Sequence, residues 1–251
     1  MDTVVVIPAR YGSTRLAAKP LRLIAGVPMV VRTARQAVAS GLPVWVAYDD
    51  ERIGALLLHE SVQGITTRSD HENGTERLCE VAMRLGWSDE TIVVNVQGDE
   101  PLLAPSLITY VAETLVRSPQ AAVATLAAPF DHQHSPVSAT TVKVVCDNQG
   151  MALYFSRAVI PHVRDTDDIA TAFPYLRHIG IYAYRVSALK CYPQLSATPL
   201  EQAEKLEQLR FLEHGLRIAV GTIDVAPPPG VDCEEDLQRV EALLKQHERS
   251  A

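Results

Sequence analysis

The chain has 251 residues, 47% of them apolar and 21% charged, the balance of an ordinary soluble protein long enough for one large α/β domain or two small ones. Its formal charge of −7 argues against a general nucleic-acid or anionic-membrane binder, which needs a broad positive field, but leaves room for a small anionic substrate bound by a local group of cations. The four cysteines, Cys79, Cys146, Cys191 and Cys233, are widely spaced and read as free thiols, so a cytoplasmic location is expected.

Residues 3–8, TVVVIP, form a β-branched run that predicts a buried strand, stopped by Pro8. The apolar run is too short for a signal peptide or a membrane span. The next residues crowd Arg10, Arg15 and Lys19 into one loop with Gly12 and Ser13. Backbone amides beside three cations suit a polyphosphate. The spacing is neither G-x-G-x-x-G nor G-x-x-x-x-G-K-[ST], and a merely solvated basic loop is the competing reading.

Residues 28–40 carry apolar positions at helical spacing, with Pro28 suited to the first turn and Gly41 to the stop. Residues 44–50 predict a second strand, 51–60 a helix, 64–68 a third strand and 74–86 an amphipathic helix. Before that last helix lies RSDHENGTER, whose Asp70, Asn73, Gly74 and Thr75 could hydrogen-bond a base or ribose. Helix capping by Asn73 or Thr75 is the alternative, and Arg77 exceeds what a cap needs.

A fourth strand in TIVVNVQGDEP delivers Gln97, Asp99 and Glu100 to the same sheet edge, with Gly98 permitting close approach. Asp99 is placed to hold a hard cation such as Mg²⁺. Alternation of this kind predicts a Rossmann-like α/β fold with a mostly parallel sheet.

Farther on, residues 141–157 read as two strands joined at Asp147-Asn148-Gln149-Gly150, which is hairpin chemistry. Residues 178–185 alternate as a strand that puts His178, Tyr182 and Tyr184 on one face. Residues 199–215 predict one charged helix carrying Glu207 and Gln208, and 234–248 a terminal helix. Before the latter, Asp232 either supplies a second metal carboxylate or forms a capping box with Glu235. The organisation expected is one domain over 1–251 with an antiparallel insertion near 130–185.

The combination VVIPARYGSTRL, KPL, NGTER, VNVQGDEP, TVKVV, ALYFSRA, RHIGIYAYR, LEQLR and GVD, in this order over nearly the whole chain, resembles the 3-deoxy-manno-octulosonate cytidylyltransferase (CMP-Kdo synthetase) family. The resemblance implies a glycosyltransferase-A-like nucleotide-diphospho-sugar transferase fold and a homodimer, with the insertion lobe serving sugar binding and dimerisation. It also implies Mg²⁺-dependent transfer of CMP from CTP to the anomeric 2-hydroxyl of Kdo, with pyrophosphate released and the product used in lipopolysaccharide or capsule synthesis. Matched by motif, Arg10, Arg15 and Lys19 hold the phosphates, with Gly12 and Ser13 near the nucleotide. Asp70, Asn73, Gly74, Thr75 and Arg77 fall in a second nucleotide-contacting loop. Asp99 and Asp232 match the metal ligands, and Gln97, Arg157, His178, Tyr182, Glu207 and Gln208 surround the sugar acid.

Three departures from the family pattern stand out: Ala17-Ala18 where Pro-Gly is common, Asn73 for a usual Ser, and Cys233-Glu234 for a usual Thr-Pro. None removes a charged group. The same chemistry on 8-amino-Kdo or another nonulosonic acid, and a non-catalytic nucleotide-binding protein, are the alternatives.

Overall fold

A computed structural model describes residues 2–12, 16–131, 134–165 and 173–250. In chain order the elements are β1 (Thr3–Ala9), β2 (Leu23–Ile24), β3 (Val27–Pro28), α1 (Met29–Val38), β4 (Val44–Tyr48), α2 (Glu51–Leu57), β5 (Gln63–Thr66), α3 (Gly74–Arg84), β6 (Ile92–Asn95) and α4 (Pro105–Val116). They continue as β7 (Val123–Pro129), β8 (Lys143–Cys146), β9 (Ala152–Ser156), β10 (Leu176–Arg185), α5 (Val186–Cys191), α6 (Pro199–Glu204), α7 (Gln208–Glu213), β11 (Ile218–Thr222) and α8 (Glu234–Ser250). The chain divides into two compact units, Met1–Thr109 with Pro227–Ala251, and Tyr110–Ala226. The antiparallel region expected over 130–185 lies within the second unit, which also contains β7 and β11.

In the first unit the strands run β6-β1-β4-β5, all parallel. Val4, Val5, Val6 and Ile7 of β1 and Ile92, Val93 and Val94 of β6 are buried, as continuous apolar runs in a covered parallel sheet require. Parallel pairing puts the carboxyl ends of β1 and β6 at one edge, which is where their loops carry the polar residues. Helix α8 returns to this unit through Val231, Leu237 and Val240, which pack with Leu16, Ile24 and Met29. Burial of Val231 therefore draws the next residue, Asp232, toward the loop that follows β1.

In the second unit β7 pairs in parallel with β11 and antiparallel with β10, and the β8–β9 hairpin attaches to β10. Asp147 Oδ1 accepts from the Gln149 and Met151 N–H groups at 2.8 and 2.9 Å, and Gly150 takes φ 75°, so the predicted turn chemistry holds. The single helix expected over 199–215 is instead two. Lys205 ends α6 in the left-handed conformation, and Glu204 turns away to accept from Ser156 Oγ at 2.5 Å and the Arg157 N–H at 2.9 Å.

Lys143 is fully buried on β8, and its ammonium donates to the carbonyls of Ser138, Thr141 and Arg157 at 2.9, 2.7 and 2.5 Å. Burial lowers its pKa. Lys143→Met keeps the aliphatic stem but leaves three carbonyls without their shared donor. A loss of about 3 kcal/mol in urea unfolding is expected, since an orphaned buried acceptor costs about 1–3 kcal/mol. A variant as stable as the parent would show that water replaces the ammonium without cost.

Candidate active site

Lys19 opens a 3-10 turn after β1, and its ammonium lies 2.5 Å from Asp99 Oδ2 and 2.9 Å from Asp232 Oδ1. Burial disfavours the charged ammonium, but Asp99 first and then Asp232 outweigh it, and the net shift of the Lys19 pKa is upward. Ala18, which precedes it, has φ 49° and ψ 38°. Alanine thus adopts the left-handed conformation that a glycine at this position of the pattern takes without steric cost.

Two glycines let the segments approach. A Cβ on Gly98 would lie 3.0 Å from the Pro8 carbonyl oxygen, and one on Gly230 would lie 3.0 Å from the Asp99 carbonyl oxygen. The Val231 N–H donates to that same Asp99 oxygen at 2.9 Å. Asp99 and Asp232 therefore share a cleft of about 380 Å³ with Gln97, Glu100, Asp236 and Arg239. Burial and the neighbouring Asp99 charge push the Glu100 carboxyl up to about 7.

The capping alternative for Asp232 is corrected here. Helix α8 starts at Glu234, so Asp236 rather than Glu235 stands where a reciprocal capping acid belongs. Asp236 Oδ2 accepts from the N–H groups of Asp232 and Cys233 at 2.9 and 3.2 Å, and Arg239 pairs with Asp236 at 2.8 Å. The Asp232 carboxylate is left to face Lys19.

Arg10 is exposed at the head of the cationic loop, next to Gly12, whereas Ser13 and Arg15 lie outside the described residues. Asp49, at the carboxyl end of β4, holds this loop by accepting from the Tyr11 N–H at 2.9 Å. Its other oxygen accepts from Arg77 at 3.1 Å, and Arg77 also donates to Thr67 Oγ1 at 2.5 Å. The side chains of Arg77 and Asp49 are 3% and 5% exposed, so this pair lies beneath the loop. Burial lowers the Arg77 pKa, with Asp49 opposing. The spare cation of the sequence is thus committed to a buried anion. Arg52 adds a second anchor, stacking 3.7 Å from the Tyr11 ring centroid and donating to its hydroxyl at 2.9 Å.

Asn73 caps α3, accepting from the Glu76 N–H at 3.0 Å, with Gly74 and buried Thr75 following in the first turn. Asp70 is exposed and pairs with Arg68 at 3.3 Å. The loop is tied down by His71, whose Nε2 lies 2.5 Å from Glu80 Oε2.

Of the sugar-site candidates, Gln97 joins the Asp99 and Asp232 cleft. In the second unit, His178 and Tyr182 have ring centroids 5.5 Å apart, and Tyr182 stacks with Tyr184 at 5.8 Å, so the predicted aromatic face is present. Burial, with Tyr184 and Glu207 adding to it, raises the Tyr182 pKa well above its ordinary value. Glu207 precedes α7, and Gln208 in its first turn is buried with Nε2 lacking a hydrogen-bond partner. Arg157 is braced by Glu204, which accepts its N–H and, through its own carbonyl, the Arg157 Nε at 2.8 Å.

Sequence reasoning missed Asp49, Thr67, Asp236 and Glu204. Asp49 had a visible signal, an acidic pair at the end of an apolar strand. The others lie in ordinary helix or loop surroundings.

The donors fit a hard divalent cation. Two carboxylates from separate loops already converge on one ammonium, which occupies the place of a positive charge. Mg²⁺ is commonly held by one or two carboxylates together with substrate phosphates rather than by a full protein cage. Among the described residues no group of three or more His, Cys, Asp or Glu side chains forms a full cage.

A family model described as cytidylyltransferase matches residues 4–218. A protein of Dichelobacter nodosus named 3-deoxy-manno-octulosonate cytidylyltransferase is 66% identical over 97% of this chain and 98% of its own length. One of the same name from Nitrosococcus oceani is 49% identical over 100% and 99%. A solved structure described as CMP:2-keto-3-deoxy-manno-octonic acid synthetase complexed with CTP superposes with a TM-score of 0.90 at 40% identity, covering 98% of this chain and all of that one.

Proposed function

The chain belongs to the 3-deoxy-manno-octulosonate cytidylyltransferase family, and on that premise we propose how its own residues carry the transfer of CMP from CTP to Kdo. The observation that carries the reading is the convergence of Lys19, Asp99 and Asp232 at the carboxyl edge of the parallel sheet. Two carboxylates and one ammonium sum to a single negative charge, the wrong sign for a triphosphate. Asp99 and Asp232 would hold a divalent cation, whose charge would reverse that sign.

When bound, Mg²⁺ supplies Lewis-acid polarisation of phosphoryl oxygen and lowers the pKa of a coordinated hydroxyl. The protein's part is positioning and fixed charge. Arg10, Arg15 and Lys19 stabilise the triphosphate and the charge that develops on pyrophosphate as it leaves. Gly12 and Ser13 offer close backbone approach, and Asp70, Asn73, Gly74 and Thr75 contact the nucleoside. Arg77 serves the same loop from below, through Asp49. In the second unit Arg157, His178, Tyr182, Glu207 and Gln208 bind the sugar acid, and its 2-hydroxyl attacks the α-phosphorus directly. No covalent enzyme intermediate is required.

The reading includes a cytoplasmic homodimer. Four cysteines outside any disulfide suit a reducing compartment, and among the described residues no helix is long and apolar enough to cross a membrane. Light scattering of the purified protein tests the dimer.

Pyrophosphate release with CTP, Mg²⁺ and Kdo is expected, abolished by EDTA and restored by excess Mg²⁺. Unchanged turnover in EDTA would remove the metal role from Asp99 and Asp232. Turnover on 8-amino-Kdo or a sialic acid but not on Kdo would change the acceptor, and silence with all three would leave a nucleotide-binding protein.

A further inference from the structure

Thr125 lies in the middle of β7 with no exposed surface, and three polar atoms crowd its hydroxyl. The carbonyl oxygens of Ile181 and Ile179 stand 2.8 and 3.1 Å from Oγ1, and His178 Nε2 stands 2.9 Å away. The crowding comes from a bulge in β10. Pairing with β7 jumps from Ile179 opposite Leu126 to Tyr182 opposite Thr125, so Gly180 and Ile181 loop out and Ile181 turns its carbonyl inward.

A hydroxyl has one proton to give, and carbonyl oxygens can only accept. If Thr125 donated to His178, its oxygen would face two carbonyl oxygens lone pair to lone pair in a buried, low-dielectric setting. Donation to one of the carbonyls replaces one of those two repulsive contacts with a hydrogen bond, so it is the favoured direction. The hydroxyl then has only an acceptor lone pair for the imidazole, so Nε2 must carry a proton. We propose that Thr125 is a positioning residue that fixes His178 as the uncharged Nε2–H tautomer, leaving Nδ1 as an acceptor that reads a hydroxyl of the sugar acid rather than its carboxylate.

Burial supports the uncharged state, pushing the imidazolium down to about 3. Phe155 and Tyr182 also hold the ring plane, with centroids 5.0 and 5.5 Å away. A neutral ring whose single proton is spent on Thr125 has nothing to donate to a carboxylate oxygen. It can only accept.

This inference rests on the reading that His178 contacts the sugar acid, and the test separates the two. Nitrogen-15 imidazole spectra of the full-length enzyme at neutral pH, with His178 assigned by its absence in His178→Asn, should show a protonated Nε2 and a bare Nδ1. Saturation with Kdo should move the Nδ1 resonance as it accepts a hydrogen bond. Thr125→Val should raise the KM for Kdo by about tenfold, the worth of one misplaced hydrogen bond, with the KM for CTP within about twofold, and Thr125→Ser should restore it.

An Nδ1–H ring or an imidazolium in the parent enzyme overturns the tautomer assignment, whatever His178 binds. An Nε2–H ring indifferent to Kdo overturns the sugar contact instead, together with the placing of His178 in the sugar site. Because both spectra use the unaltered enzyme, failure of Thr125→Val to fold would not spare the proposal.

Discussion

Asp99→Asn is expected to lower turnover with CTP, Kdo and Mg²⁺ by about 10³-fold or more while the protein unfolds at nearly the parent temperature. Asparagine keeps the shape and an acceptor oxygen for Lys19 but removes the anion that a hard cation requires. Metal-borne stabilisation of transition-state charge is worth several kcal/mol, and each 1.36 kcal/mol is a factor of ten. The stability effect is small because the ion pair is partly open, with Asp99 26% exposed at its side chain, and because Asp232 still holds the Lys19 ammonium. Steady-state pyrophosphate release and a thermal melt on one preparation check both halves. A rate within tenfold of the parent would mean that Asp99 is not a metal ligand, and an early melt would make it a structural residue.

Arg77→Met should destabilise the protein by about 3–5 kcal/mol, the usual consequence of removing one member of a buried ion pair. The guanidinium is enclosed, and its loss leaves the Asp49 carboxylate buried with only the Tyr11 N–H and remaining neighbours for compensation. Thr67 loses its partner as well. Adding Asp49→Asn to Arg77→Met removes the orphaned charge and should recover part of the loss, so urea unfolding of both single variants and the double variant gives their coupling directly. Because Asp49 also grips the cationic loop, a raised KM for CTP should accompany the loss of stability. Strictly additive variants would show that the two side chains are neighbours without energetic dependence.

Arg77 also shows where a sequence reading stops. Its excess over a helix cap was visible, and the family motif puts it among nucleotide contacts. Burial instead places a protein carboxylate between it and the loop it serves. Asn73 shows the converse: its cap was legible because the bond it makes is only three residues long. The split of the helix expected over 199–215 was not legible. Its periodicity continues through the break, and the cause lies in Ser156, which ends the distant strand β9, and Arg157 after it.

By itself the sequence determined what is local: the parallel strands, from their unbroken apolar runs; the turn at Asp147, from side-chain bonds to its own backbone; and the cationic loop after Pro8, from its composition. Tertiary structure alone decided which carboxylates meet the cation. Lys19 and Asp232 stand 213 positions apart, and neither the cap-like spacing before α8 nor the turn-like setting of Asp99 revealed that the two carboxylates meet one ammonium. That choice follows from burying Val231 against the core, from the absence of Cβ atoms at Gly98 and Gly230, and from Asp236 holding the backbone amide of Asp232. Side-chain chemistry is written residue by residue, but the charge it meets in a folded protein depends on which distant surfaces exclude water together.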